Sequence, residues 1–409
     1  ISRFYPEFDL TLAIQVGCLS LFATALTNVG KAFCLGWLRP KVRTIVLLLR
    51  RVVEIGGLLL VAAWGLTVAR AVGVLAVADT FAALAFSFVA WRALRAVPAG
   101  DAEAAGIRAV GRRIVGYSWP LMGSQLADVV GQNVTKLLIG RLTTPAILGF
   151  YSVARLAVDR LMLLLTQMPL MAVPVMSQDG VAADSERVYG RIGRLLQYQW
   201  ALASLGNLVL WSAALLFVRL VGDTAYGPVV SALRILGLSL VFWAGTISLH
   251  VVFLLHERTT GIFVLYLVQL LTAAVGYMAL ASTWSTNGIA LADVLAQTAV
   301  FGVAVYLVKS RFHFPIEKYL PMMGQQFGVM ALLLLPIWLL PDGWWLVGWA
   351  VFTAWVYLSF LLRSGLPDEA EWRYLDGVRI GNGRFQPYPA RLWRITRQYQ
   401  KRLQMGGEN

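Results

Sequence analysis

Eleven stretches of this sequence are each apolar over roughly 20 residues, the length a helix needs to cross the hydrocarbon of a bilayer. They run at about 10–36, 44–64, 68–91, 114–140, 147–176, 195–218, 228–255, 261–282, 288–308, 320–340 and 344–362. Runs like these leave few folds open. In hydrocarbon every backbone N–H and C=O must find a partner inside the protein, and a helix supplies those partners within a single segment. Polar and Pro/Gly stretches such as STWSTN at 282–287 and PDG at 341–343 punctuate the runs. The composition agrees: 58% of the 409 residues are hydrophobic and 14% are charged, against about 25% charged in a soluble domain. The expectation is an all-α polytopic membrane protein with about 11 transmembrane helices present.

The net charge is +14, from 35 basic and 21 acidic residues. On a soluble chain that excess would suggest nucleic acid; on a membrane chain the location of the charges decides. The connections alternate in sign along the chain. One set holds Arg39, Lys41 and Arg43, then Arg92, Arg95, Arg108, Arg112 and Arg113, then Arg187, Arg191 and Arg194, then Arg258, then Lys309, Arg311 and Lys318. The tail beyond Arg363 adds more. The opposite set holds Arg70, Arg141 and Arg219. Positively charged loops stay in the cytoplasm, so the first set and the C-terminus are expected there, with no nucleic-acid partner. Residues 1–9 then fall outside. The chain begins with Ile1, and we read it as a fragment that lacks an odd number of helices at its start.

Motifs for chemistry are missing. The two cysteines, Cys18 and Cys34, and the scattered His250, His256 and His313 make no metal-ligand spacing. There is no phosphate-binding G-x-x-x-x-G-K-[ST], no GxSxG and no HExxH. We therefore expect no enzyme activity, no cofactor and no metal. A membrane glycosyltransferase or polymerase would need a large outside loop or a surface acid pair. The outside connections are short, and the acid clusters DAE (101–103) and DEAE (368–371) fall in a cytoplasmic loop and the tail. The tail ends in ARLWRITRQYQKRL (390–403), with Leu392, Ile395, Tyr399 and Leu403 at helical spacing beside Arg and Lys. It reads as an amphipathic helix on anionic lipid or as an ordinary basic juxtamembrane tail.

Charges inside the spans are the candidate functional residues, because each costs roughly 2.5–3.5 kcal/mol at the bilayer centre and so turns to a protein interior or a wet cavity. In 114–140, Gln125, Asp128, Gln132 and Lys136 fall within an arc of about 80°. In 147–176, Tyr151, Ser152, Arg155, Asp159 and Thr166 fall within about 100°. Arg155 and Asp159 stand four apart and can pair within the helix; Arg160 points elsewhere, nearer Gln167. Arg155–Asp159 could be a neutralised structural pair, and Lys136 and Arg141 could snorkel to headgroups. We expect instead that the two stripes share a cavity. Asp79 and Asp293 are single acids in their spans, each a proton or cation site or a structural group. Glu54, with Arg50 and Arg51, reads as interfacial. Pro169 and Pro174 should kink their helix.

Residues 114–178 resemble the polysaccharide flippases, the O-antigen or Wzx-type branch of the MOP superfamily that also includes MATE exporters and lipid II flippases. The likeness rests on G-Y-S-x-P-L, IGRL, the Thr-Pro turn, LGFYSVARL and the Pro-rich end before Ser177. The resemblance implies a MATE-like two-lobe helical bundle of a probable 14 helices, N-terminally truncated here. It divides the chain into a remainder of the N-lobe (1–92), an inter-lobe loop (93–113), a C-lobe (114–308), an extra helix pair (309–362) and a basic cytoplasmic tail (363–409). It implies alternating-access flipping of an undecaprenyl-pyrophosphate-linked oligosaccharide across the bacterial cytoplasmic (inner) membrane, for surface polysaccharides such as lipopolysaccharide O-antigen or exopolysaccharide. Its partners would be that lipid-linked oligosaccharide, membrane lipids and other polysaccharide-assembly membrane proteins. Lys136, Arg155, Arg160, Gln125, Gln132 and Tyr151 then line the substrate cavity, with Asp128, Asp159 and Asp79 as candidates for ion coupling. Many relatives carry an acid just before the IG of the 114–140 helix, where this chain has Thr135 and Lys136. A MATE-type drug or metabolite exporter is the alternative, favoured by a net negative cavity.

Overall fold

The computed structural model describes residues 11–36, 40–65, 67–95, 107–178, 185–221, 227–339, 345–364 and 366. The N-terminal residues 1–9, the DAE and DEAE clusters, PDG at 341–343 and the 390–403 tail lie outside them. Among the described residues ten α-helices follow in order: α1 (Thr11–Gly36), α2 (Pro40–Ala63), α3 (Val68–Arg95), α4 (Ile107–Leu142), α5 (Pro145–Gln178), α6 (Ser185–Val221), α7 (Gly227–Leu255), α8 (Thr260–Phe312), α9 (Leu320–Leu339) and α10 (Trp345–Arg363). A 3-10 turn, Ile316–Lys318, links α8 to α9. No strand occurs among the described residues.

Helix α8 holds two of the expected spans. Its backbone breaks at Ser285 (φ 50°, ψ −130°). Gly276 and Ala292 lie so close that a Cβ on Gly276 would stand 2.8 Å from the Ala292 Cβ. Sixteen residues of straight helix would separate them by about 24 Å. The two halves are therefore antiparallel, joined at STWSTN, and correspond to the runs 261–282 and 288–308. Seven helices are long and apolar enough to cross a membrane among the described residues, and α8 is one of them. Its second half, the shorter apolar α10, and the more highly charged α2 and α4 complete the eleven. Many large apolar side chains on these helices are exposed, such as Leu126 and Leu137 on α4 and Leu163 and Leu164 on α5. Lipid is the solvent that makes this surface tolerable.

Helices outrun the apolar stretches. Helix α4 begins at Ile107 and α6 at Ser185, so Arg108, Arg112, Arg113, Arg187, Arg191 and Arg194 sit on helical extensions rather than in loops. Extending the helix keeps backbone groups paired while the basic heads stay near water. Helix α5 continues through both Pro169 and Pro174. Between α4 and α5 the connection is short. Thr143 returns its hydroxyl to the Ile139 carbonyl (2.7 Å), Thr144 offers its oxygen to the Ile147 N–H (3.5 Å), and Pro145 opens α5 where its missing N–H costs nothing.

The chain forms two units, residues 1–107 and 108–409. In the first, α3 packs on α1 and α2. Its polar centre is Asp79 on α3. Arg50 of α2 binds it through Nε (2.8 Å) and Nη2 (2.6 Å), and Ser20 and Thr24 of α1 donate at 2.9 and 3.2 Å. Arg51 turns to Glu54 (2.8 Å) instead. Arg50, Arg51 and Glu54, three of the charges that make α2 less apolar, are thus each engaged by an opposite charge.

In the second unit α7 is the central helix, packed on α5, α6 and α8 and buried along most of its length. Trp200 of α6 meets Phe242 of α7 and Phe301 of α8. Helices α9 and α10 lie against α6. At one end, Arg113 of α4 reaches Glu257 in the α7–α8 turn (2.5 Å) and holds that carboxyl below its usual range. Thr259 donates to the Tyr117 carbonyl beside it (2.9 Å).

The hairpin in α8 yields a test. A Cβ at Gly288 would lie 2.1 Å from the Leu280 carbonyl oxygen, a backbone atom that cannot step aside. Gly288→Ala should destabilise the protein by about 2 kcal/mol through overpacking. Ser285→Gly should instead stabilise it by about 1 kcal/mol by relieving the positive φ. Thermal unfolding of the purified variants in detergent reads both signs, and equal melting temperatures would contradict the hairpin.

Candidate functional site

A cavity of about 130 Å³ opens within the second unit between α4, α5 and the two halves of α8. Helix α4 contributes Asp128, Gln132 and Lys136, and α5 contributes Tyr151, Arg155 and Asp159. The first half of α8 adds Tyr266, Gln269 and Tyr277; the second adds Asp293 and Gln297. The polar stripes on the two consecutive helices therefore turn to one space.

At the floor stands Asp293, whose side chain is 8% exposed. Three groups from two helices converge on it. The Tyr151 hydroxyl donates to Oδ2 at 2.6 Å. The Tyr277 hydroxyl donates to Oδ1. Arg155 Nη1 donates to Oδ2 at 3.3 Å. Arg155 is shared: its Nε also donates to Asp159 Oδ1 at 2.8 Å. The exposure grades upward, from Asp293 at 8% through Arg155 at 26% to Asp159 at 48%. The guanidinium thus joins a buried carboxylate to one that meets water. Across the cavity Gln132 donates to Asp128 (3.1 Å). Among the described residues Lys136 makes no hydrogen bond or ion pair, although it lines the cavity.

Other members of the candidate set fall elsewhere. Gln125 and Arg160 are exposed and do not line the cavity. Asp79 lies in the first unit, engaged by Arg50, Ser20 and Thr24. Ser152 and Thr166 direct their hydroxyls to the carbonyls of Leu148 and Met162 in their own helix (2.7 Å each). On α4 the lining face is also rotated from the polar stripe, since Ala127, Gly131 and Thr135 share it.

Of the α8 contribution, polarity alone marks Asp293 and leaves the rest unread. A signal was present. Tyr266, Gln269, Ala273 and Tyr277 recur at three- and four-residue steps and span about 80° of arc. Asp293 and Gln297 repeat the step on the second half.

This arrangement can hold an anion at Lys136 and the outer edge of Arg155, or a cation at Asp128 and Asp159. Residues 1–198 match a family model described as "Polysaccharide biosynthesis protein". That stretch takes in α4 and α5 with their cavity residues and ends before α8. Among solved structures, the chain resembles one titled "Lipid II flippase MurJ, inward closed conformation", with a TM-score of 0.55 and 13% identity, covering 86% of this chain and 72% of that one. At such identity the likeness is one of fold. No curated protein matches the chain. The resemblance read from residues 114–178 is thus borne out, by a polysaccharide-biosynthesis family match that spans them and by a helical fold shared with that solved structure.

Breaking the floor of the cavity should be costly. Asp293→Ala strands Arg155 and two phenols, and removing one partner of a buried ion pair costs about 3 kcal/mol or more. The expected outcome is a clear fall in the melting temperature of the detergent-purified variant, larger than for Asp159→Ala, whose carboxylate is half exposed. Equal effects would show that Asp293 is not the anchor.

Proposed function

We propose that the chain flips an undecaprenyl-pyrophosphate-linked oligosaccharide across the bacterial inner membrane by alternating access, with its C-terminus in the cytoplasm. It acts on this reading as a transporter and not as an enzyme. Residues 1–92 supply the N-lobe portion, 114–308 the C-lobe, 309–362 the extra pair and 363–409 the cytoplasmic tail. Support comes from the family match, the flippase-like fold and the membrane-spanning helices.

The observation that carries the reading is the pairing state of the two cavity cations. Lys136 makes no ion pair among the described residues. Arg155 is anchored from below by Asp293 and held from above by the half-exposed Asp159. An incoming pyrophosphate can take the Nε edge of Arg155 from Asp159 while Asp293 keeps the guanidinium in position. Anionic oxygens bind guanidinium strongly in a site of low dielectric. Asp159, released from Arg155, and Asp128 are the groups left to take a proton or a cation. Gln132 and Tyr151 complete the lining. Arg160, Gln125 and Asp79 would act only outside this cavity.

One observation favours a second reading. The lining holds three carboxylates, Asp128, Asp159 and Asp293, against two cations, Lys136 and Arg155. A formally negative cavity suits a MATE-type exporter of cationic drugs or metabolites.

Complementation separates the two. The protein, expressed in a host lacking its own polysaccharide flippase, should restore surface polysaccharide. The double reversal Lys136→Glu, Arg155→Glu should abolish it at unchanged protein level, a loss of at least about 10²-fold for reversing both cavity cations against an anionic substrate. Normal export by the double variant, or resistance to cationic dyes without polysaccharide export, would overturn the flippase assignment.

A further inference from the structure

The cavity of the second unit has a wall whose chemistry differs from its ionised floor. Tyr266 and Gln269 from the first half of α8 and Gln297 from the second line the cavity, and they also line a small recess behind it. Helix α7 closes that recess with Trp243, Thr246 and His250. Gln297 is 3% exposed and His250 is 8% exposed. Among the described residues the side chains of Gln269, Gln297 and Tyr266 make no hydrogen bond to protein. His250 Nε2 is buried without a partner. The Thr246 hydroxyl, in contrast, donates to the Phe242 carbonyl (3.0 Å). Buried polar groups in folded chains are as a rule paired, so an unpaired set gathered on one patch calls for a reason.

The residue types say what would pair with them. Among the described residues no Asp, Glu, Lys or Arg lines the recess. Two amides and a phenol can each donate and accept, which matches hydroxyl groups better than a phosphate or an ammonium. Tyr266 adds an apolar ring face beside its hydroxyl, tilted against the His250 ring (6.1 Å between centroids). The recess measures about 10 Å³, room for one hydroxyl-sized group beside His250. Gln297 stands one turn beyond Asp293 on the same arm of α8, a rise of about 6 Å. Asp293 holds Arg155, so a group attached to an anion at Arg155 has this wall next to it. We infer that the wall binds the first sugar ring attached to the phosphorylated carrier. Gln269 and Gln297 meet its hydroxyls, Tyr266 lies against its C–H face, and one hydroxyl enters the recess toward His250. The inference rests on the flippase reading and adds to it, assigning selection of the sugar to α8 and recognition of charge to α4 and α5. A site built for hydroxyls rejects a ligand that lacks them, because its own polar groups are then left unpaired.

The test measures binding of undecaprenyl pyrophosphate, bare or carrying one N-acetylglucosamine or one galactose, to the full chain in lipid nanodiscs. At least one of the sugars should raise the wild-type affinity roughly 10- to 30-fold over the bare carrier, as two added hydrogen bonds would. The double variant Gln269→Leu, Gln297→Leu should lose that gain and keep its affinity for the bare carrier. Its melting temperature should not fall, since neither amide bonds to protein. His250→Leu keeps both amides and should weaken binding of the glycosylated carrier alone. Equal wild-type affinities for bare and glycosylated carriers, or a gain that survives in the double variant, would overturn the sugar site. A lower melting temperature of the double variant would show the amides to be structural and overturn it as well. Failure to bind even the bare carrier would instead overturn the flippase reading, and this inference with it.

Discussion

A carboxylate buried among membrane helices is tolerable only when its charge and its lone pairs are met on the spot, and Asp293 is where this requirement shapes the second unit. It faces Arg155 and two tyrosine hydroxyls, one from α5 and one from the other half of its own hairpin. Desolvating such a group alone would cost several kcal/mol. The partners must therefore be in place when the helices pack, which fixes α5 against both halves of α8. The cavity above exists because these groups are polar enough to keep lipid out and are packed on one side only.

The first unit solves the same problem with different chemistry. Asp79 on α3 is met by Arg50 from α2 and by two α1 hydroxyls. In both units an acid on one helix is claimed by an arginine on another and by hydroxyls supplied nearby. The outcome differs. Arg50 also lies within 3.9 Å of Glu54, on its own helix, whereas Arg155 meets a half-exposed acid that a solute can replace. The second arrangement leaves a guanidinium edge in reach of water.

Much of this was legible along the chain. Apolar runs of bilayer length located the helices, including the two arms that share one continuous element in the structure. Angular arithmetic on α4 and α5 identified Asp128, Gln132, Lys136, Tyr151, Arg155 and Asp159 as one polar surface. What escaped is tertiary. The Arg155–Asp293 pair joins residues 138 apart, and no local pattern announces such a partner. Polarity misjudged Gln125 because it sits one turn from Asp128, beyond the end of the cavity. Apart from Asp293, the lining of α8 was missed for another reason: Tyr266 and Tyr277 read as part of an apolar run, yet Tyr277 acts here through its hydroxyl. Helix ends were also misplaced, since hydropathy reports where lipid begins and not where backbone hydrogen bonding stops.

The reversal at Ser285 carries a mechanical consequence. Gly276 against Ala292 and Tyr277 on Asp293 clamp the two arms of the hairpin together below its bend. Asp293 in turn ties that clamped pair to α5 through Tyr151 and Arg155. Two sides of the chamber are therefore tied to each other, and among the described residues its border with α4 lacks such ties. That helix touches its neighbours at scattered points, with Arg113 and Tyr117 at one end as its fastenings. Whatever enters would do so by swinging α4 about those end contacts, like a door on its hinge pins.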